Sequence, residues 1–376
     1  MKRFHLKENN FHTMLNYVVR VLVKGGLVVF PSDTVYGLLV DSTNEKAVVK
    51  LIEFKERPAG KPISVFVTNI RMIDTLCNVS GKQENILKEI LPGPFTIVLD
   101  YKNKQSKFKL CKSLLSEQNT LGVRIPDYEP VIKLVESFKR PITATSANTV
   151  GMPAYHLTES LIKNLSIKKK TLIDLIVDAG KLPLNKPSTV IDLTRDKIKE
   201  LRKGDFSVKN IKKYISESSE ETKLIAKTFS KKVFKNQQKS TVLILQGELG
   251  SGKTVFIKGV GEFLGIKNVI SPSFVVYYEY EIKSQKSSRF AKASRDKKVK
   301  SQKFIHGDFY YIKDDQELKD LKLDNYVNNS NILCFEWGER AGVLLDLFKS
   351  RCKVFLIKIK YLSETKRELR IGELNK

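Results

Sequence analysis

Residues 247–254 read Gly-Glu-Leu-Gly-Ser-Gly-Lys-Thr, directly behind the apolar run Val242-Leu243-Ile244-Leu245. An octet of this pattern, behind a strand and ahead of a helix starting near Lys253, is a complete phosphate-binding loop. Glycines let the backbone curl so that successive N–H groups face phosphate oxygens. The nucleotide contacts expected here are Glu248, Leu249, Gly250, Ser251, Gly252, Lys253 and Thr254. Lys253 would place a point charge on the β- and γ-phosphates, and the Thr254 hydroxyl would hold Mg²⁺. An ordinary glycine-rich turn is the competing reading, and the preceding strand weighs against it. The loop begins only at residue 247, so a domain-sized stretch ahead of it needs its own explanation.

A chain of 376 residues suggests two or three domains. Its 41% hydrophobic and 29% charged composition is that of a soluble globular protein. No apolar run approaches the ~20 residues that span a bilayer, and the N-terminus lacks the apolar core of a signal peptide. The expectation is therefore a cytoplasmic protein without a membrane partner. Cys77, Cys111, Cys334 and Cys352 are widely spaced, which argues against a zinc site or a disulfide framework. The net charge of +26 favours a polyanionic partner through phosphate neutralisation, although scattered lysines carry no specificity.

Short strands alternate with amphipathic helices in the N-terminal part. Strands are expected at Val28–Phe30, Ile63–Val67, Phe95–Leu99, Ile173–Val177 and Thr189–Leu193. Helices are expected over Glu45–Phe54, with Val48, Val49, Leu51 and Ile52 apolar, up to Leu91, and over Val131–Phe138. Ile211–Ile215 reads as the end of a lysine-rich helix. Ser218 followed by Glu221 is a capping-box signature for the next helix. This places the domains at 1–212 and 213–376 with a very short linker. Nine of the twenty-one residues 283–303 are Lys or Arg against one acid, so this segment reads as a basic loop inserted between two strands.

Several polar constellations sit at strand ends: Ser32-Asp33-Thr34, Lys55-Glu56-Arg57 with Lys61, Arg124, Thr145-Ser146-Ala147-Asn148, Ser188 and Arg202. Singly, each is a loop residue, a cap or a solvated charge. Together they describe an anion site with several cations and hydroxyls. Their order says more. PSDTVYGL, FKERPAGKPISVFV, LPGPFTIVL, LGVRIP, TSAN, PSTVIDL and LRKGD run in sequence from about residue 12 to 212. This series resembles the YrdC-type threonylcarbamoyl-adenylate synthases. The resemblance implies a twisted α/β sheet with a concave basic cavity, and production of threonylcarbamoyl-AMP and pyrophosphate from ATP, bicarbonate and L-threonine. Thr34, Arg124 and Ser188 would bind L-threonine. Arg57, Lys61, Ser146, Asn148 and Arg202 would hold ATP, with Lys55 and Arg57 catalytic. Phe66 stands where many relatives carry a histidine beside the threonine site.

Beyond the phosphate-binding loop, Ser271-Pro272-Ser273-Phe274, His306-Gly307-Asp308-Phe309-Tyr310 and Ile332-Leu333-Cys334-Phe335-Glu336-Trp337 resemble segments of the TsaE-type ATPases. An acid at the end of a buried strand beside the loop is the expected Mg²⁺ partner, so Glu336 joins Thr254 as a metal residue. Asp308 is the second acid and a catalytic candidate, positioning water or metal. Tyr311 stands where relatives usually carry an arginine. The two resemblances point to one pathway, and the expectation is a bifunctional fusion with two ATP sites and Mg²⁺. Its ATPase would serve a TsaD–TsaB-type transferase complex, with tRNA rather than DNA as the nucleic-acid partner. Two other readings compete. In one, the N-terminal domain is a non-catalytic RNA-binding module; in the other, the C-terminal domain is a small-molecule kinase, for which no substrate subdomain is visible.

Overall fold

A computed structural model describes all residues except 1, 8–9, 58–59, 150, 184, 196, 236, 273–274, 283–301, 313–314, 328–329, 339–343 and 375–376. Apart from residues 302–303, the expected basic loop therefore lies outside the described residues, as do Ser273 and Phe274. The chain divides into two compact units, Met1–Phe206 and Ser207–Lys376.

The strands of the first unit are β1 (Lys2–His5), β2 (Val28–Phe30), β3 (Gly37–Leu39), β4 (Ser64–Phe66), β5 (Phe95–Asp100), β6 (Thr120–Arg124), β7 (Ile142–Ser146), β8 (Leu175–Asp178), β9 (Thr189–Asp192) and β10 (Lys199–Arg202). They form one mixed sheet in the order β1-β8-β2-β3-β7-β4-β6-β5-β9-β10. Runs of three to six residues suffice because most strands are buried, so β-branched and aromatic side chains fill them. Helices Phe11–Val23 and Glu129–Phe138 lay their apolar stripes on this sheet: Met14, Val18 and Leu22 from one, Val131, Leu134, Val135 and Phe138 from the other. The second stripe is the one its 3.6-residue period predicts. In helix Glu45–Lys55, Val48 and Leu51 are buried as expected. Val49 is 57% exposed, and Phe54 and Lys55 take the inner face instead. Asn44 starts this helix by accepting the Ala47 N–H.

The second unit contains β11 (Phe206–Ser216), β12 (Thr241–Gln246), β13 (Tyr277–Glu281), β14 (Lys303–Asp308), β15 (Ile332–Glu336), β16 (Lys353–Tyr361) and β17 (Arg367–Leu374). Their order is β11-β17-β16-β12-β15-β14-β13, with β12 parallel to both β15 and β16. Ile211–Ile215 is thus strand, not helix. The spacing of its isoleucines fits either state, and pairing beside β17 decides it, with Lys213 meeting Glu368 at 2.7 Å. Ser218 caps helix Ser219–Phe234 by accepting the Glu221 N–H, while the Glu221 carboxylate accepts the Glu217 N–H. Helix Lys253–Phe263 follows β12 and packs close to helix Ser219–Phe234, because Gly259 lacks a Cβ that would sit 2.7 Å from Lys223 O. Leu243, Leu245, Phe256, Ile257 and Val260 fill the core between sheet and helices. Among the described residues no helix is long and apolar enough to cross a membrane.

Candidate functional site

In the first unit residues along β4, β5, β6, β7, β9 and β10, alternate ones on β5 and β6, line a cavity of about 450 Å³. Thr34, Lys55, Arg57, Lys61, Arg124, Ser146, Asn148, Ser188 and Arg202 all line it, so the fold brings together the residues to which the resemblance gives a role in L-threonine or ATP binding or in catalysis. No carboxylate lies among the described lining residues.

Lys55 ends helix Glu45–Lys55 and is only 5% exposed. Its ammonium donates to Ser146 O at 2.9 Å, Asn148 O at 2.6 Å and Asn148 Oδ1 at 2.8 Å. Three acceptors match its three hydrogens, so this lysine fixes the 146–148 turn. Ser146 Oγ closes the same turn on Asn148 Oδ1 at 2.5 Å. Burial pushes the Lys55 amine down to about 8, with repulsion from Arg57 and Lys169 adding to it. Arg57 donates Nε to Lys61 O at 3.1 Å and Nη2 to Pro62 O at 2.5 Å, which steadies the segment carrying Lys61. Burial also lowers the Arg57 pKa.

Arg124 is buried too, at 6% exposed. Its Nη2 meets Asp33 Oδ1 at 2.8 Å and Thr34 Oγ1 at 3.3 Å. The guanidinium lies 5.0 Å from the Phe66 ring centroid, so the phenyl ring gives the charge a π face where a histidine would give a hydrogen bond. Arg124 Nε is buried with no protein partner, an orphaned donor of the kind a ligand acceptor satisfies. On the opposite side, Ser188 Oγ meets Thr96 Oγ1 at 2.7 Å, and Arg202 Nη2 donates to Ser188 Oγ at 3.0 Å. Asp33 and Thr96 had no assigned role in the sequence reading, although both lie inside quoted motifs. Only the fold brings Asp33 against Arg124, ninety-one residues away.

In the second unit, loop 247–252 joins β12 to helix Lys253–Phe263, as the octet predicts. Gly252 caps the helix at φ 101°, a conformation that favours glycine. Lys253 Nζ donates to Gly247 O at 2.8 Å and Glu248 O at 2.9 Å, and lies 4.1 Å from the Trp337 ring centroid. Thr254 Oγ1 donates to Glu336 Oε1 at 2.8 Å. Two hard oxygen donors thus converge beside the loop, at the carboxyl ends of parallel strands, which fits a Mg²⁺ ion. Asp308 pairs in register with Glu336 across β14 and β15, and its Oδ1 accepts the Tyr310 N–H at 2.8 Å. Leu249 and Tyr311 are exposed, and Ser251 is buried. His306 is fully buried with Nε2 3.0 Å from Glu336 Oε1, a contact the sequence reading did not assign although it quoted the motif.

Comparison with known proteins follows the same division. Residues 20–204 match the Sua5/YciO/YrdC family model, described as Telomere recombination. Residues 216–369 match the model described as Threonylcarbamoyl adenosine biosynthesis protein TsaE. The chain is 31% identical over 211 residues to a Methanocaldococcus jannaschii protein provisionally named threonylcarbamoyl-AMP synthase, covering 56% of this chain and 95% of that one. It is 33% identical over 199 residues to the threonylcarbamoyl-AMP synthase of Pyrococcus abyssi, covering 52% of this chain and 55% of that one. A solved P. abyssi Sua5 variant overlays with a TM-score of 0.50 at 20% identity over 97% of this chain and 100% of that one, a likeness of fold. The chain belongs to the Sua5/YciO/YrdC family through its first unit and carries a TsaE-family unit behind it, a fusion that falls within the biosynthesis of tRNA threonylcarbamoyladenosine.

Proposed function

We propose that the first unit makes threonylcarbamoyl-AMP and the second hydrolyses ATP in support of a TsaD–TsaB-type transferase complex acting on tRNA. The observation that carries the first half is the cation-lined cavity with its orphaned Arg124 Nε. A guanidinium held on one edge by Asp33 and open at Nε suits the carboxylate of L-threonine, with Thr34 and Ser188 supplying hydroxyls beside it. Arg57, Lys61 and Arg202, with Ser146 and Asn148, face the triphosphate. Lys55 acts chiefly by fixing the Ser146–Asn148 turn and by its charge. The amine of L-threonine attacks bicarbonate to form the carbamate, releasing water. A carbamate oxygen then attacks the α-phosphorus of ATP, and pyrophosphate leaves. Neither step needs a covalent nucleophile from the protein. Positioning and charge neutralisation supply the rate, which is what a cavity of cations offers.

In the second unit, Gly247–Thr254 would take the phosphates of ATP, and Thr254 and Glu336 would hold Mg²⁺. The ion supplies charge neutralisation on the phosphate oxygens when bound. Asp308, in register with Glu336, would orient the attacking water. Incubation of the chain with ATP, L-threonine and ¹³C-bicarbonate tests the first half. A labelled threonylcarbamoyl-AMP identified by mass supports it, and no adduct in the presence of bound ATP refutes it. ATP hydrolysis that rises on adding the transferase complex, and is lost in Lys253→Ala, tests the second.

A further inference from the structure

The β16–β17 hairpin and the phosphate-binding loop are joined by one side chain. Arg367 opens β17 opposite Tyr361, and its guanidinium lies 4.5 Å from that ring's centroid. Its Nε donates to Ser251 O at 3.1 Å and its Nη2 to Gly250 O at 3.3 Å. Its Nη1 donates to Ser363 O at 2.6 Å, Lys366 O at 2.9 Å and Glu364 O at 3.2 Å. Every partner is a backbone carbonyl, and no carboxylate among the described residues pairs with it. Five backbone acceptors are an unusual set for an arginine at a strand end, where a surface carboxylate would hold the charge as well.

The loop explains the geometry. In a trans peptide the C=O and the following N–H point in opposite directions. An edge of the guanidinium that holds Ser251 C=O outward therefore turns the Gly252 N–H inward, to the side where such loops gather N–H groups around phosphate. The Gly250 C=O, held by the same edge, fixes the Ser251 N–H, which donates to Glu248 O at 3.1 Å and closes the turn. We infer that Arg367 is a positioning residue for nucleotide binding, clamping two successive loop carbonyls from outside and coupling the loop to the 362–366 turn. The inference rests on the reading of residues 247–254 as a nucleotide site. Lysine is a poor replacement, because its ammonium lacks the planar fork that holds Ser251 O and Gly250 O on the Nε/Nη2 edge while Nη1 reaches the 363–366 carbonyls.

Trp337 is the only tryptophan and lies over Lys253, so its emission reports this site. The test is a titration of the full chain with Mg²⁺ and ADP, followed by Trp337 fluorescence. Arg367→Ala should bind about tenfold more weakly, about 1.4 kcal/mol. Arg367→Lys keeps the charge and most of the alkyl chain, and should stay several-fold weak. Methylguanidinium added to Arg367→Ala should recover affinity, which a general loss of folding would not allow. Arg367→Ala binding ADP like the unsubstituted chain overturns the inference, and so does full recovery in Arg367→Lys, which would leave only charge. A response to ADP that is absent in the unsubstituted chain, or unchanged in Lys253→Ala, overturns the nucleotide reading itself, and the clamp with it.

Discussion

Lys55 gives the most exacting test of the cavity, because burial makes its charge depend on pH near neutrality. Its amine is pushed down to about 8 from the ordinary value of 10.5. Two consequences have opposite sign. Between pH 8 and 10.5 the unfolded chain binds the proton more tightly than the folded one, so this residue's cost to stability is fully present below pH 8 and fades as pH rises. That cost is on the order of 3 kcal/mol. Affinity for a polyanion moves the other way. Bound phosphate favours the charged amine, so ATP binding weakens as pH rises through 8. If phosphate returns the amine to its ordinary range, affinity falls up to about twentyfold between about pH 7.5 and 9.5. The assay is calorimetric ATP binding in a Lys253→Ala background, which silences the loop of the second unit. Alkaline melts run in parallel. Lys55→Met should lose most of the pH dependence of binding and of the stability gain, and the difference between the two chains removes every other titrating group. An affinity that is flat across this range, or a Lys55→Met chain with the same slope, refutes the account of the buried amine.

Other changes have equally definite outcomes. Arg124→Met removes the cation from the buried Asp33 pair, whose partners lie 2.8 Å apart, and should lower stability by about 3–5 kcal/mol in denaturant titration. Adding Asp33→Asn should recover part of that loss but none of the threonine binding. His306→Leu removes the donor to Glu336 and should reduce Mg²⁺-dependent ATP hydrolysis about 10- to 100-fold, with His306→Gln recovering much of it. Gly252→Ala meets no atom within 4 Å but must hold φ at 101°, so its cost of about 1–2 kcal/mol is backbone strain, read as weaker ADP binding by Trp337 emission.

What the sequence made legible was whatever depends on local pattern. The phosphate-binding loop, the apolar stripe Val131–Phe138 and the Ser218 cap are each specified within a dozen residues, and each stands in the structure as read. The cavity was legible for a different reason: its residues come in short motifs whose order resembles a family, and no single motif carried the site. What escaped was long-range. Ile211–Ile215 became strand because β17 lies beside it. Asp33 matters through Arg124, ninety-one positions on. Arg367 reaches Ser251 across 116 positions, and its neighbourhood in sequence, Lys366-Arg367-Glu368, looks like any charged strand end. Lys55 lines the cavity, and its three acceptors from the 146–148 turn, more than ninety positions on, are contacts that no local pattern announces.

The measurement that bears most directly on the central claim is pyrophosphate release from ATP by the purified chain, with and without L-threonine and bicarbonate, beside Arg57→Ala and Lys253→Ala. The account predicts release that requires both co-substrates, is lost in Arg57→Ala and survives in Lys253→Ala. Release that ignores L-threonine, or none from a chain that binds ATP in its first unit, would contradict it and turn attention to that unit as an RNA-binding module.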